Sequence, residues 1–293
     1  MDVMERALVG AEQIERFARD GYLVIERLLP PETVAAVRAR FEPLFAGEFE
    51  TGIYPDEWYW RAGMSLPDIT RHMGNAWKSD RTVARVALSA AVGEIVATLS
   101  GWAGARLALD TIWWKTPGAK EIALHQDGTY MSTLDPPETT TCWIALDDTS
   151  AEAGTIEYVP GSHRWPLNRT IGDFHAPEDD YRSAMRAAAA AAGVADPQVV
   201  PIEVPAGGCV VHHGRTWHGS GRNRTASRVR RSLAVHLLPA HARFRREGSG
   251  YIFGRYQRVG DTTMDESFFP ILWTRDGYRT PFLADYCRDA TNP

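Results

Sequence analysis

The chain has 293 residues, 44% hydrophobic and 24% charged, with a formal net charge of −5. That is the composition of a globular protein of one large domain or two small ones, able to bury a sizeable core. The acidic balance leaves no basic footprint, which argues against a nucleic-acid partner. The three cysteines, Cys142, Cys209 and Cys287, are far apart and form no CxxC, so the expected compartment is a reducing cytoplasm. The charged start "MDVMERALVG" has no apolar signal-peptide core, and the alanine run at 187–193 is too short for a membrane span. The expectation is a cytoplasmic protein with no membrane partner.

In chain order, Ile14 and Phe17 suggest a short amphipathic helix broken by Gly21, and "YLVI" reads as a buried strand. Pro31 suits a helix start, with Glu32 in the first turn, and Val34, Val37, Phe41 and Leu44 then form one apolar stripe. Residues 50–80 lack clean periodicity and are rich in aromatics, which predicts an irregular excursion. A helical pattern returns over 81–99 and stops at Gly101, with Gly93 inside it.

From about residue 105 the chain turns to short β-rich runs separated by turns, interrupted by one helical insertion near 177–195. Strands at that spacing predict a sandwich or barrel. The reading is one domain, 1–293. It is mainly β with flanking helices (α+β): a helical part over about 1–104, a β-core over about 105–240 and an extension over 241–293.

Within the β-core, "IALHQD" puts His125 and Asp127 two residues apart. In a strand such residues share a face about 7 Å apart, while Gln126 points the other way. Gly128 then ends the strand and places the pair near a rim. Mixed imidazole and carboxylate ligands suit iron, zinc or manganese. An HxD pair by itself is more often two solvated or hydrogen-bonded residues.

A third ligand must come from elsewhere among the nine histidines. In "VVHHGRTWHGSG", alternation puts Cys209, Val211 and His213 on one face and Val210 and His212 on the other. His218 follows the turn in a glycine-bracketed loop, well placed to complete a site, with His212 or His213 left as core or supporting residues. Two histidines and a carboxylate make a facial triad with open positions on iron. Downstream, Arg230 and Ser232 alternate onto one face and Arg231 onto the other. An arginine fork there suits a carboxylate, although a solvated cluster of Arg222, Arg224, Arg228, Arg230 and Arg231 reads equally simply.

Taken together, "DGYLVIERLLPPE", "LHQDGTY", "TCWIALDDTSAEAGTIEYVPGSHRW", "HGSGRNRT" and "RRSLAVH" occur in order over about 10–240. In these motifs the chain resembles the phytanoyl-CoA dioxygenase family of non-haem Fe(II)/2-oxoglutarate oxygenases. The resemblance implies a double-stranded β-helix (jelly-roll) core with N-terminal helices and Fe(II) held by His125, Asp127 and His218. It also implies 2-oxoglutarate and O2 as co-substrates, with Arg230 (or Arg231) on the far carboxylate beside Ser232. Trp143 and Gln126 match positions lining the co-substrate pocket, and His213 matches one beside it. Related halogenases carry a small residue where Asp127 stands, so the resemblance points to hydroxylation.

For the substrate side, Trp113, Tyr130 and Trp58 are candidates, although aromatics also simply fill cores. The polar and aromatic mixture over 54–78 suits a small polar or ring-containing metabolite, and no lysine cluster favours the phosphates of CoA. Two other readings remain. A cupin-like metal dioxygenase without 2-oxoglutarate would usually present HxH and a following Glu. A catalytically silent small-molecule-binding module would not need all four of His125, Asp127, His218 and Arg230.

Overall fold

The structure is a computed structural model and describes residues 9–170, 172–247 and 250–288. The first helix, α1 (Ala11–Asp20), ends on Gly21 at φ 80°. A Cβ there would meet His163 Nδ1 at 2.4 Å, so both the left-handed turn and the close approach require glycine. Strand β1 (Tyr22–Ile25) follows.

The apolar stripe from Val34 to Leu44 is carried by two helices, α2 (Pro31–Ala39) and α3 (Phe41–Ala46), joined at Arg40. All four stripe residues are buried. The excursion is less irregular than its composition implies. It contains β2 (Glu57–Trp58) and β3 (Arg71–Gly74), and β3 pairs with a central strand.

The single helix expected over 81–99 is two, α4 (Arg81–Ala87) and α5 (Ala90–Ser100). Ser89 separates them, its hydroxyl capping α5 by accepting from the Ala91 N–H at 3.2 Å. By length and composition Arg81–Ser100 could cross a bilayer, but 67% of its most apolar window is buried inside the molecule.

The β-core comprises β4 (Gly104–Lys115), β5 (Ile122–His125), β6 (Leu134–Asp135), β7 (Thr140–Ala145) and β8 (Ile156–Tyr158). After α6 (Ser183–Ala191) come β9 (Val200–Pro201), β10 (Cys209–His213), β11 (His218–Ser220) and β12 (Arg230–Pro239). The chain closes with β13 (Arg243–Phe244), β14 (Ile271–Thr274) and α7 (Leu283–Tyr286).

The large sheet runs β1-β10-β7-β12-β4-β3-β2, with β14 also on β4, and the small sheet runs β5-β11-β8-β9. Every pairing in both is antiparallel. This is the double-stranded β-helix arrangement with helices on its outside. The large sheet recruits β1, β2 and β3 from the N-terminal part and β14 from the C-terminal extension, so it crosses the sequence boundaries near 104 and 240.

Alternation divides the large sheet by face. Cys142, Ile144, Cys209, Val211, Leu233 and Val235 pack with the helices in one apolar core. Thr141, Trp143, His212, Arg230, Ala234 and His236 face a cavity between the two sheets.

Candidate metal centre and adjoining cavity

Strand pairing sets the centre. β11 lies antiparallel to β5 with His218 opposite His125, and β8 places Tyr158 opposite His218. Asp127 begins the short 3-10 turn (Asp127–Met131) just beyond β5. One atom each of His125, Asp127 and His218 lies within 4.8 Å of the others. His125 Nε2 and His218 Nε2 stand 3.4 Å and 3.5 Å from Asp127 Oδ1.

The surrounding hydrogen bonds prepare those atoms for a cation. His125 Nδ1 bonds Ala123 O at 2.9 Å, and His218 Nδ1 bonds Thr216 O at 2.9 Å. A carbonyl only accepts, so each Nδ1 carries the proton and each Nε2 presents a lone pair toward Asp127. Asp127 Oδ2 accepts from Thr141 Oγ1 at 2.6 Å and from His212 Nε2 at 3.1 Å. Tyr158 O–H donates to His212 Nδ1 at 2.8 Å, and His236 Nδ1 donates to Thr141 Oγ1 at 2.9 Å. One carboxylate oxygen is thus anchored while the other faces the two imidazoles. Two neutral nitrogens and one carboxylate oxygen on neighbouring strands fit a divalent iron.

Electrostatics agree. Burial alone would raise the Asp127 carboxyl, but the surrounding histidines outweigh it and hold the group well below the usual carboxylate range. Burial, reinforced by His218, lowers His125, and burial takes His212 down to about 3. His125 and His212 are thus shifted toward the neutral imidazole, in keeping with the hydrogen-bond directions.

The cavity has a volume of about 280 Å³. Arg230 lines it, is 3% exposed, and bonds Ser232 Oγ at 3.0 Å and Gly154 O at 3.3 Å. Burial lowers its guanidinium to about 10, so it remains a cation. Arg231 points the other way and forms a fork with Asp147, at 2.9 Å and 2.7 Å. Of the two arginines, Arg230 is thus the one presented to the cavity. Trp143 lies beside it, with the guanidinium 5.7 Å from the ring centroid.

Of the remaining sequence candidates, Trp113 and Tyr130 line the cavity, whereas Gln126, His213 and Trp58 do not. Gln126 clamps two loops, donating to Arg215 O at 2.6 Å and accepting from Asn168 N at 2.7 Å. Alternation turns it away from Asp127. His213 accepts from Arg215 N at 3.0 Å and faces His163, because its side of β10 is turned toward α1, and His212 occupies the cavity face. Trp58 packs on Phe49 and Arg61 near the end of α3.

Sequence reasoning missed Thr141, His236 and Tyr251, which line the cavity, and reached Glu57, Tyr59 and His72 only as members of the aromatic and polar segments at 56–60 and 71–77. Thr141 and His236 were within reach, being two residues from Trp143 and two beyond the Arg230, Ser232, Ala234 face. Composition marked the segments of Glu57, Tyr59 and His72 but not which side chains face the cavity, because β2 and β3 are placed by long-range pairing, and Tyr251 had no local signal.

Comparison with known proteins supports this picture. The family model described as phytanoyl-CoA dioxygenase (PhyH) matches residues 17–232. A curated relative, phytanoyl-CoA dioxygenase 1 of Oryza sativa subsp. japonica, is 32% identical over 134 residues, covering 43% of this chain and 42% of that protein. The match thus spans about two fifths of that relative's length. Among solved structures, the non-heme alpha-ketoglutarate-dependent carbocyclase SnoK from nogalamycin biosynthesis superposes with TM-score 0.67 at 26% identity, covering 90% of this chain and 96% of that one. The corresponding epimerase SnoN gives TM-score 0.68 at 24% identity, with 89% and 97% covered, a likeness of fold. The matched span carries β5, β11 and the start of β12, and with them the centre described above: the chain belongs to the phytanoyl-CoA dioxygenase family.

Proposed function

We propose that this protein is an Fe(II)- and 2-oxoglutarate-dependent dioxygenase that hydroxylates a small molecule bound in the 280 Å³ cavity. The observation that carries the reading is the convergence of His125 Nε2, Asp127 Oδ1 and His218 Nε2 beside a buried Arg230 that, among the described residues, hydrogen-bonds no carboxylate. SnoK, described as non-heme and alpha-ketoglutarate dependent, supports it by likeness.

When bound, iron and 2-oxoglutarate supply oxygen activation, with 2-oxoglutarate consumed to succinate and CO2. The chain's share is positional. Thr141 and His212 hold Asp127 Oδ2 so that Oδ1 is offered to the metal. Ala123 O and Thr216 O fix the ring orientation of both histidines. Arg230, steadied by Ser232, offers its remaining N–H groups to the far carboxylate of 2-oxoglutarate. The apolar walls, Trp113 and Trp143 among them, exclude water around the reacting bond. A buried guanidinium that hydrogen-bonds only neutral oxygens among the described residues is costly without an anionic ligand, which favours this reading over a cupin-like dioxygenase lacking 2-oxoglutarate. Asp127 fills the position through which a halogenase would admit halide, which favours hydroxylation.

Purified protein with Fe(II), 2-oxoglutarate and ascorbate should form succinate slowly without added substrate. His125→Ala should abolish that turnover and the visible absorption that 2-oxoglutarate adds to the anaerobic Fe(II) protein. Succinate formation unchanged in His125→Ala would sink the assignment.

A further inference from the structure

One wall of the cavity is not explained by iron or 2-oxoglutarate. It is built by β2, β3 and β4, the loop before α6, and the 3-10 turn Tyr251–Tyr256. Tyr59 stacks on His175 with centroids 3.9 Å apart, and His175 lies parallel to His72 at 4.7 Å. Trp113 and Phe174 continue this surface at 6.0 Å. Facing into the same cavity is Glu57, whose Oε2 accepts from Tyr251 O–H at 2.8 Å and from His72 Nε2 at 3.3 Å.

Two features mark this wall as prepared for a ligand. Tyr251 holds φ 48°, a left-handed backbone that a bulky residue adopts only under constraint, and in it the side chain orients the Glu57 carboxylate. His72 is 6% exposed, and its Nδ1 has no hydrogen-bond partner among the described residues.

Charge then narrows the ligand. Glu57 and Asp127 are the carboxylates lining the cavity among the described residues, and Arg230 is the guanidinium. The charges of a divalent iron, the 2-oxoglutarate dianion, Asp127 and Arg230 cancel, leaving Glu57 over. Burial pushes the Glu57 carboxyl up, but its bonds from His72 and Tyr251 outweigh this and keep it below the usual range, so it is ionised at neutral pH. His72 Nε2 donates to Glu57, while its buried Nδ1 has no acceptor among the described residues. Arg255 also lowers Glu57 through its charge, but its guanidinium is directed to Asp56, 3.7 Å from Oδ1, and does not line the cavity.

We propose that this wall is the substrate subsite for a small ring-bearing ammonium, with Glu57 as counter-ion and Tyr59, Trp113 and Phe174 as the ring platform. Aromatic faces and a part-buried carboxylate both favour a cation and disfavour an anion. The inference rests on the proposed dioxygenase reading for the place of iron and 2-oxoglutarate, but its test is a binding measurement.

Three probes of similar size separate the chemistry: 2-phenylethylamine, 2-phenylethanol and 3-phenylpropanoate. Calorimetry on the anaerobic Fe(II)/2-oxoglutarate protein should show the amine binding about tenfold or more tighter than the other two. Glu57→Gln should bring the amine to the level of the alcohol. Tyr59→Leu, at a half-exposed position, should weaken all three probes while keeping their order. An alcohol or carboxylate bound as tightly as the amine overturns the inference. So does a preference that survives Glu57→Gln, or no binding by any probe. If the amine preference holds while succinate formation is indifferent to His125→Ala, only the dioxygenase reading falls. If succinate formation behaves as expected without the preference, only the subsite falls.

Discussion

At the residue scale, β12 carries two adjacent arginines with opposite fates. Arg230 is 3% exposed and bonds neutral oxygens, while Arg231 is forked onto Asp147. Arg230→Gln should therefore weaken 2-oxoglutarate by about 2–5 kcal/mol, the cost of truncating one partner of a buried charge pair. Arg231→Gln should leave 2-oxoglutarate affinity unchanged and lower stability modestly through the loss of a partly exposed pair. Titration of 2-oxoglutarate into both anaerobic Fe(II) variants checks the difference, and a reversed order would assign the anchor to Arg231. The parity rule that separates Arg230 from Arg231 was legible in the sequence. The same rule applied to β10 separates His212 from His213, but not which face looks into the cavity. That is settled by which side of β10 meets α1 and its neighbours.

At the element scale, α5 shows how local pattern and packing divide the work. Its apolar positions predict a helix, and Gly93 within them looks like a weakness. The structure gives the reason for the glycine. A Cβ at 93 would lie 2.9 Å from Leu272 Cβ and 3.1 Å from Trp273 Cβ, where β14 crosses the helix. Gly93→Ala gains roughly 1 kcal/mol of helix propensity but forces an overpacked contact costing about 1–3 kcal/mol. The expected net effect is a lower midpoint in urea unfolding, and a raised midpoint would mean that β14 yields freely. Nothing near residue 93 announces β14, which lies almost 180 positions downstream. The break between α4 and α5 was more accessible, since Ser89 is a good N-cap residue inside an otherwise continuous stripe.

At the scale of the whole molecule, the large sheet is held together by a strand, β4, with a carboxyl buried inside it. Asp110 is fully buried, accepts from the Trp77 N–H at 3.1 Å through Oδ1, and leaves Oδ2 without a partner among the described residues. Burial pushes its carboxyl up to about 7. The folded state thus holds this proton more tightly than the unfolded chain does. Its contribution favours folding at low pH and is lost as pH rises from about 4 through 7. Asp110→Asn keeps the bond from Trp77 and removes the titration. Relative to wild type, the variant should gain stability with rising pH across that window, by an amount on the order of 4 kcal/mol at most. Urea unfolding at pH 5 and pH 8 measures it, and a constant difference between the two proteins would contradict the assignment.

The sequence by itself determined the β-rich core and the shared face of His125 and Asp127, while His218 joined them as a ligand set through the family resemblance. The first two depend on i, i+2 parity and on glycine-marked turns, which are local and survive without knowledge of what lies opposite. Parity with Ser232 favoured Arg230 over Arg231 but left the choice open, and the structure turns Arg230 to the cavity and Arg231 onto Asp147. Tertiary structure alone decided which residues wall the cavity. Glu57, Tyr59, His72 and Tyr251 reach it from β2, β3 and the C-terminal turn, whose positions are fixed by pairing with β4 or by packing against distant segments. Such contacts are chosen by burial and register over the whole sheet, and short-range periodicity carries no information about them.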